Sequence, residues 1–202
     1  MIRIPSEDPH VLTRLLRALS RGGVAVLPTD TLYGFSTPLS SREGHDRIEA
    51  IKGGASERRY IYLASGVGMV ERYIEAWGCV SREIMEPVWP APLTAVFPSG
   101  TVCPVWASPT IAFRVPASDW LRSAIDALGE PILSTSVNEA GEPPLEDPGD
   151  IERVFGSRCD LLVDAGCLAG PGPSTLVDFT GSSPVVLRRG VYVWDSGGKP
   201  SN

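Results

Sequence analysis

The sequence predicts a single-domain α/β protein, a twisted mixed sheet with helices on its faces. Three observations carry that expectation. Its 202 residues suit one α/β domain with a short tail. Amphipathic helical stretches alternate with short apolar runs early in the chain, whereas apolar runs follow one another near its end. Alternation favours parallel pairing and clustering adds antiparallel strands. Hydrophobic residues make up 43% and charged residues 21%, the balance of a chain that buries a core. The 21 glycines and 19 prolines fall between apolar runs rather than in tracts, so they mark turns. The expected organisation is one domain over residues 1–194 and a frayed tail, "DSGGKPSN", over 195–202.

The elements are read in order. Asp8 and Pro9 are expected to open a first helix as N-cap and N1, and Gly22-Gly23 to end it. Val11, Leu12, Leu15, Leu16 and Leu19 form its apolar stripe. "VAVL" (24–27) reads as a buried strand, and "PTDTLYG" (28–34) as the loop after it. Ser40 with Glu43 suggests a capping box for a helix from Ser41 to about Lys52, with Ile48 and Ile51 inward. "YIYLA" (60–64) is the next strand. A helix from Val67 to Trp77, stopped by Gly78, and a short one from Ser81 to Val88 follow. "LTAVF" (93–97) and "IAFRV" (111–115) read as strands on either side of a Pro-containing loop. Ser118 caps a helix through Leu128, with Trp120, Leu121, Ile125 and Leu128 at helical spacing, and "PILSTS" (131–136) follows as a strand. A helix over Pro148–Phe155 precedes three short strands, "DLLVDAG", "STLVDF" and "VVLRR".

Composition narrows the function classes. The net charge is -6 and the sequence pI is near 5.0, which disfavours broad binding to a phosphate backbone. No apolar run approaches the roughly 18 to 20 residues of a membrane span. The N-terminal "MIRIPSEDPH" lacks a signal peptide's apolar core, so a cytoplasmic location is expected. Cys79, Cys103, Cys159 and Cys167 show no CxxC spacing and read as buried small hydrophobes. His10 and His45, the only histidines, are expected on the surface, which disfavours a Ser-His-Asp triad or a His-containing zinc site.

Three hydroxyl-rich clusters lie where predicted strands end or loops begin: Thr29-Asp30-Thr31, Ser134-Thr135-Ser136 with Asn138, and Ser174-Thr175 after "GPGP". Such side chains can donate to phosphate or carboxylate oxygens without adding charge, and they also build turns and caps. Lys52 ends a helix beside Gly53-Gly54, and Arg114 and Arg188 each sit near the end of an otherwise apolar strand. A guanidinium there needs either a structural carboxylate or an anionic ligand. There is no Walker A motif, and the prolines of "GPGPST" remove amide donors a phosphate cradle would use. The residues by themselves describe a basic, hydroxyl-lined cleft for an anionic ligand.

In order and spacing, "PTDTLYG", "IKGG", "WPAPLT", "IAFRVP", "STSVNEAGEPP", "PSTLVDFT" and "VVLRRG" resemble the YrdC-like threonylcarbamoyl-AMP synthase family, over about Gly22 to Val191. The resemblance implies a YrdC-like (YrdC/RibB) twisted α/β fold with a positively charged groove. It implies a nucleotidyltransferase, L-threonylcarbamoyladenylate synthase, that joins L-threonine, bicarbonate and ATP and releases pyrophosphate. The product would serve the threonylcarbamoyladenosine modification of tRNA through a downstream transferase. By the same resemblance Thr31, Arg114 and Ser174 fall where the family holds L-threonine. Lys52, Ser134, Ser136, Asn138 and Arg188 fall where it holds ATP, with Lys52 and Arg114 as the catalytic cations. Mg2+ is expected to arrive with ATP, without a dedicated protein site.

The chain departs from the family pattern at Lys-x-Arg, where Gly54 replaces the arginine and Arg58 takes the position of a following asparagine. Arg58 or Arg59 is then the expected substitute cation on the ATP side. The family's histidine at the end of the next strand is Leu63. Two other readings follow: a YciO-like relative without this activity, or a module for double-stranded RNA if Arg58, Arg59, Arg188 and Arg189 share one face.

Overall fold

A single mixed sheet runs through the computed structural model, which describes residues 1–54, 60–104, 108–170 and 172–194. The elements are β1 (Ile2–Pro5), α1 (Val11–Leu19), β2 (Ala25–Pro28), β3 (Tyr33–Pro38), α2 (Arg42–Ile51), β4 (Ile61–Leu63), α3 (Val67–Glu71) and α4 (Arg82–Met85). They continue with β5 (Leu93–Pro98), β6 (Thr110–Arg114), α5 (Asp119–Leu128), β7 (Ile132–Ser136), α6 (Pro148–Phe155), β8 (Leu161–Asp164), β9 (Thr175–Asp178) and β10 (Val185–Arg188). The strand order is β1-β8-β2-β3-β7-β4-β6-β5-β9-β10. Pairing is parallel for β1/β8, β2/β8, β4/β6 and β5/β9, and antiparallel elsewhere.

Two strands were not expected from the sequence. β1 lies in the N-terminal stretch, and β3 runs where the loop after "VAVL" was predicted to continue. β3 is buried along its whole length, but Gly34, Ser36, Thr37 and Pro38 dilute its apolar signature. Helix starts shift as well. Asp8 accepts from the His10 amide at 2.7 Å in a turn, and α1 begins at Val11 without a side-chain cap. Ser41, not Ser40, caps α2 through the Gly44 amide (3.0 Å), while Ser40 binds the Glu130 carboxylate through its amide and hydroxyl, each at 2.9 Å. α3 ends at Glu71 rather than Trp77, because the chain beyond it pairs with the end of β5: Ile74 bridges Ser99 and the Gly100 amide reaches the Tyr73 carbonyl. α5 and α6 hold their expected bounds, capped by Ser118 and Asp147.

Side chains paired in register point to the same face of a sheet. One face carries Ala25, Leu27, Leu63 and Ile132 into a core with Leu15, Leu19, Leu121 and Ile125 of α1 and α5. The opposite face carries Val26, Phe35, Leu133 and Leu162 against Ile48, Ile51, Ile151 and Phe155 of α2 and α6. Phe35 and Phe155 meet edge-to-face at 5.0 Å. The first face changes character along β7. Ile132 is core, whereas Ser134 and Ser136 on the same side are only half-buried.

His45 is buried between α2 and the sheet rather than exposed as expected. Its Nδ1 lies 2.7 Å from the Ser41 carbonyl and its Nε2 3.0 Å from the Tyr62 hydroxyl. A carbonyl only accepts, so Nδ1 carries the proton and Tyr62 donates to Nε2. Burial, the largest influence, lowers the imidazole pKa below its ordinary 6.5.

The core and this histidine generate two predictions. Phe35→Ala should lower the unfolding free energy by roughly 3–5 kcal/mol in a urea titration with unchanged slope. Because the folded chain holds the His45 proton less readily than the unfolded chain, its contribution is complete above about pH 6.5 and lost as pH falls toward the lowered folded value. The urea midpoint should fall between about pH 6.5 and 5, and His45→Gln should flatten that slope.

Candidate functional site

β2 ends at Pro28, and residues 29–32 fold back across the first face of the sheet. Thr29 pins the turn: its hydroxyl donates to the Leu32 carbonyl (2.7 Å) and accepts from the amides of Thr31 and Leu32 (3.1 Å each). The hydroxyls of Thr29 and Thr31 lie 3.0 Å apart. Arg114, the last residue of β6, donates from Nη1 to the Thr31 hydroxyl at 3.1 Å. The same nitrogen lies 3.4 Å from Oδ1 of Asp30, and Asp30 Oδ2 accepts from the Ala117 amide at 3.3 Å.

Arg114 is 4% exposed. Burial is the main influence on its pKa and lowers it; Asp30 acts the other way, and nearby Arg188 adds to the lowering. A guanidinium stays charged even so. Its Nε and the Oδ1 of Asp30 are both buried and make no hydrogen bond within the described residues.

The second wall begins at Ser174, just before β9. Its carbonyl accepts from Arg188 Nε (3.2 Å) and Nη2 (3.0 Å), its hydroxyl lies 3.3 Å from Nη2, and buried Thr94 on β5 shares a 2.8 Å hydroxyl contact with it. Arg188 makes no ion pair with a described carboxylate, and burial lowers its pKa. Two glycines permit this closeness. A Cβ on Gly170 would overlap the Thr31 carbonyl, and one on Gly190 would overlap the Pro173 carbonyl and the Ser174 backbone. Tyr33 anchors the start of the same loop, donating to the Gly166 carbonyl at 2.8 Å and accepting from the Ala165 amide at 2.9 Å.

β7 supplies the floor. Gly34 faces Ser136 across the β3–β7 pair, and a Cβ there would come within 2.7 Å of the Ser134 hydroxyl. Lys52 at the end of α2 is 3% exposed. Its ammonium donates to the Ser136 carbonyl (2.6 Å) and to Oδ1 of Asn138 (2.5 Å). The Asn138 amide nitrogen then donates to the carbonyls of Glu139 and Glu142.

The result is a cleft of about 460 Å³, lined by Thr31, Arg114, Ser134, Ser136, Ser174 and Arg188, with Leu32, Ile61 and Pro144 as apolar wall. Six of the residues given a site role by the sequence therefore share one cavity, together with Thr29 and Thr135 of the hydroxyl clusters. Lys52 and Asn138 stand behind Ser136 rather than in the lining. Arg58 and Arg59 lie outside the described residues, as does the tail over 195–202. Thr29, Asp30 and Thr94 were not assigned site roles from sequence. A hydroxyl in the otherwise apolar "LTAVF" was the available sign for Thr94, and a carboxylate between two threonines was the sign for Asp30.

The cleft holds two guanidiniums against one carboxylate, so it favours an anion with a small apolar part. Three expectations change. β10 is exposed along its length, so Arg188 reaches the cleft from the sheet edge rather than from a buried strand. Its guanidinium turns onto Ser174 and does not join an outward basic face with Arg189. Of the cysteines only Cys159 is buried; Cys79 and Cys103 are half-buried and Cys167 is exposed. Among the described residues, no three His, Cys, Asp or Glu side chains gather as a metal site, and no helix is long and apolar enough to cross a membrane.

Comparison with known proteins identifies the family and the fold. The Sua5/YciO/YrdC family model, described as "Telomere recombination", matches residues 17–190. A threonylcarbamoyl-AMP synthase of Halorhodospira halophila is 30% identical over 189 residues, covering 92% of this chain and 97% of that protein. The structure of E. coli YciO superposes with a TM-score of 0.83 at 26% identity, covering 94% of this chain and 95% of that one. P. abyssi Sua5 complexed with L-threonine superposes with a TM-score of 0.83 at 24% identity; 95% of this chain is covered but only 57% of that one. The chain belongs to the Sua5/YciO/YrdC family and has its fold.

The Arg114 pair yields a prediction independent of substrate. With side chains only 5% and 13% exposed, the Arg114–Asp30 pair lies largely out of water. Asp30→Asn strands a buried charge and should lower the unfolding free energy by roughly 3 kcal/mol. Thr31→Val, which removes one hydrogen bond to that charge, should cost only about 1.5 kcal/mol in the same titration.

Proposed function

We propose that this family member is an L-threonylcarbamoyladenylate synthase that forms threonylcarbamoyl-AMP and pyrophosphate from L-threonine, bicarbonate and ATP. The observation that carries the reading is the convergence of Arg114 and Arg188 on one hydroxyl-lined cavity, Arg188 having no ion pair with a described carboxylate. The curated relatives that bear this activity's name, and the P. abyssi protein crystallised with L-threonine, support the substrate class.

In this reading Arg114 holds the threonine carboxylate, with Thr31 and Ser174 completing the amino-acid side. Threonine's amine and bicarbonate give a carbamate, losing water. A carbamate oxygen attacks the α-phosphorus of ATP; the new O–P bond forms as the bond to pyrophosphate breaks. The reactants are both anionic, so their repulsion and alignment dominate the barrier. Arg188 and the Ser134 and Ser136 hydroxyls face the triphosphate. Lys52 holds Ser136 and Asn138 from behind and brings a positive charge to that wall. Magnesium enters as the salt of ATP and screens the phosphates. No histidine base is required. The product goes to a cytoplasmic transferase acting on tRNA.

A second reading rests on the turn after α2. Gly53 and Gly54 have φ of 83° and 69°, two consecutive left-handed residues where the family pattern has an arginine at the second position. In a YciO-like relative the ATP side would lack that cation and the reaction would not proceed. Among the described residues a Cβ on Gly54 meets no atom within 4 Å, but any side chain there carries the left-handed backbone penalty of about 1–2 kcal/mol.

Pyrophosphate release from ATP should require both L-threonine and bicarbonate, and Arg114→Ala should lower kcat/KM for threonine by about a hundredfold or more. Magnesium-supplied wild-type protein that releases none, with turnover appearing in Gly54→Arg, would select the second reading.

A further inference from the structure

At the opposite end of β2 lies a second concavity, of about 680 Å³, formed by α1, the start of β1, the start of β8 and Arg47 of α2. Gly23, just before β2, belongs to it, whereas Thr29, just after β2, lines the cleft. The four residues of β2 separate them by about 13 Å. Arg14, Arg17 and Arg21 line this concavity together with Arg47 and Asp160.

Charge pairing distinguishes the place. Eight of the described arginines stand within 4.0 Å of a carboxylate. Arg14, Arg17 and Arg21 do not, and all three are exposed. The local carboxylate is already committed: Asp160 binds Arg47 at 2.7 Å and accepts from the Val24 amide at 2.8 Å. Three guanidiniums thus remain uncompensated on a chain whose net charge is -6. Beside them Ile2 is 55% exposed on β1, which pairs with β8 alone and is the edge of the sheet. Ala18 and Leu161 extend the apolar floor, over which arginine stems can lie.

We propose that this concavity docks an acidic segment of a partner protein, with an apolar side chain seated against Ile2 and Ala18. Charge complementarity sets the acidic character: three free guanidiniums accept carboxylates bidentately. The mixture of arginine with exposed aliphatic surface sets the apolar anchor, since that combination typifies protein interfaces. A nucleic-acid backbone gains nothing from Ile2, and its phosphates would meet a chain whose net charge is -6. Docking here leaves the cleft at the far end of β2 open, so partner and substrates bind together. The inference stands on this face alone and does not depend on the reaction assigned to the cleft.

The test is fluorescence anisotropy of a fluorescein-labelled peptide of repeated Glu-Glu-Leu, titrated with the full chain. Wild type should bind saturably and more weakly as salt rises. Arg14→Glu/Arg17→Glu/Arg21→Glu should weaken binding by about tenfold or more, Ile2→Ser and a Glu-Glu-Ser peptide should each weaken it several-fold, and circular dichroism should be unchanged. Should charge reversal disturb folding, the corresponding triple glutamine variant carries the same expectation. No saturable binding at low salt overturns the proposal. So does binding indifferent to these arginines, or displacement of the peptide by a short RNA duplex at lower concentration than by unlabelled peptide.

Discussion

Burying Arg114 is the constraint from which the cleft follows. Taking a guanidinium out of water costs several kcal/mol unless charge and hydrogen bonds are returned to it. β6 delivers this side chain to the first face of the sheet, and no strand neighbour can answer it. The loop after β2 therefore crosses that face, bringing Asp30 as counter-charge and Thr31 as acceptor. Thr29 makes the loop stiff enough to hold them there, and the Ala117 amide fixes the carboxylate. Once the loop is across, only a residue without a side chain fits against Thr31, which is Gly170. Pro173 and Ser174 are thereby drawn beside Arg114, and Arg188 closes over Ser174 from the sheet edge.

Much of this was legible in the sequence, and the reasons are particular. "VAVL", "IAFRV" and "LLVD" are short apolar runs between breakers, and each became a strand at the expected place. The start of α5 was readable because Ser118 signals a helix start through local chemistry, and α6 opens at Pro148, a residue suited to the first turn. β3 was not readable, because Gly34 and Ser36 on its first face border the cleft and Thr37 on its other face meets α2 and the Gly23 carbonyl rather than an apolar core. Gly34 makes room for Ser134, and Thr37 donates to the Gly23 carbonyl at 3.0 Å. A strand that serves a site loses the alternation that marks strands. The end of α3 was misread because its stop is tertiary: the chain leaves the helix to pair with Ser99, a partner distant in sequence. His45 was misplaced for the same reason, since what buries it is Tyr62 on β4.

For the site, strand-end position singled out Arg114 and Arg188, yet it made them look alike. They differ in what balances them. Arg114 has a carboxylate brought to it by the loop after β2, whereas Arg188 is held by a carbonyl and a hydroxyl, which orient a cation without neutralising it. That asymmetry depends on which loop lands where, so residue order alone does not contain it. Lys52 shows the complementary limit. Its place after α2 suggested a cation facing ligand, but its ammonium is spent ordering Ser136 and Asn138, so it acts on the cleft through a neighbour and through its charge.

The same distinction bears on Gly54. At the level of side chains, glycine for arginine is a missing charge. At the level of backbone it is a different turn, because two successive left-handed residues send the chain after Lys52 on a course that an arginine resists. Lys52 itself is unaffected: α2 and its bonds to β7 position it before the turn begins. The wall around Arg114 is likewise built from the loop after β2, the end of β6 and the segment before β9, and neither Gly53 nor Gly54 lines the cleft. A family member can therefore alter this turn while leaving the Arg114 arrangement whole.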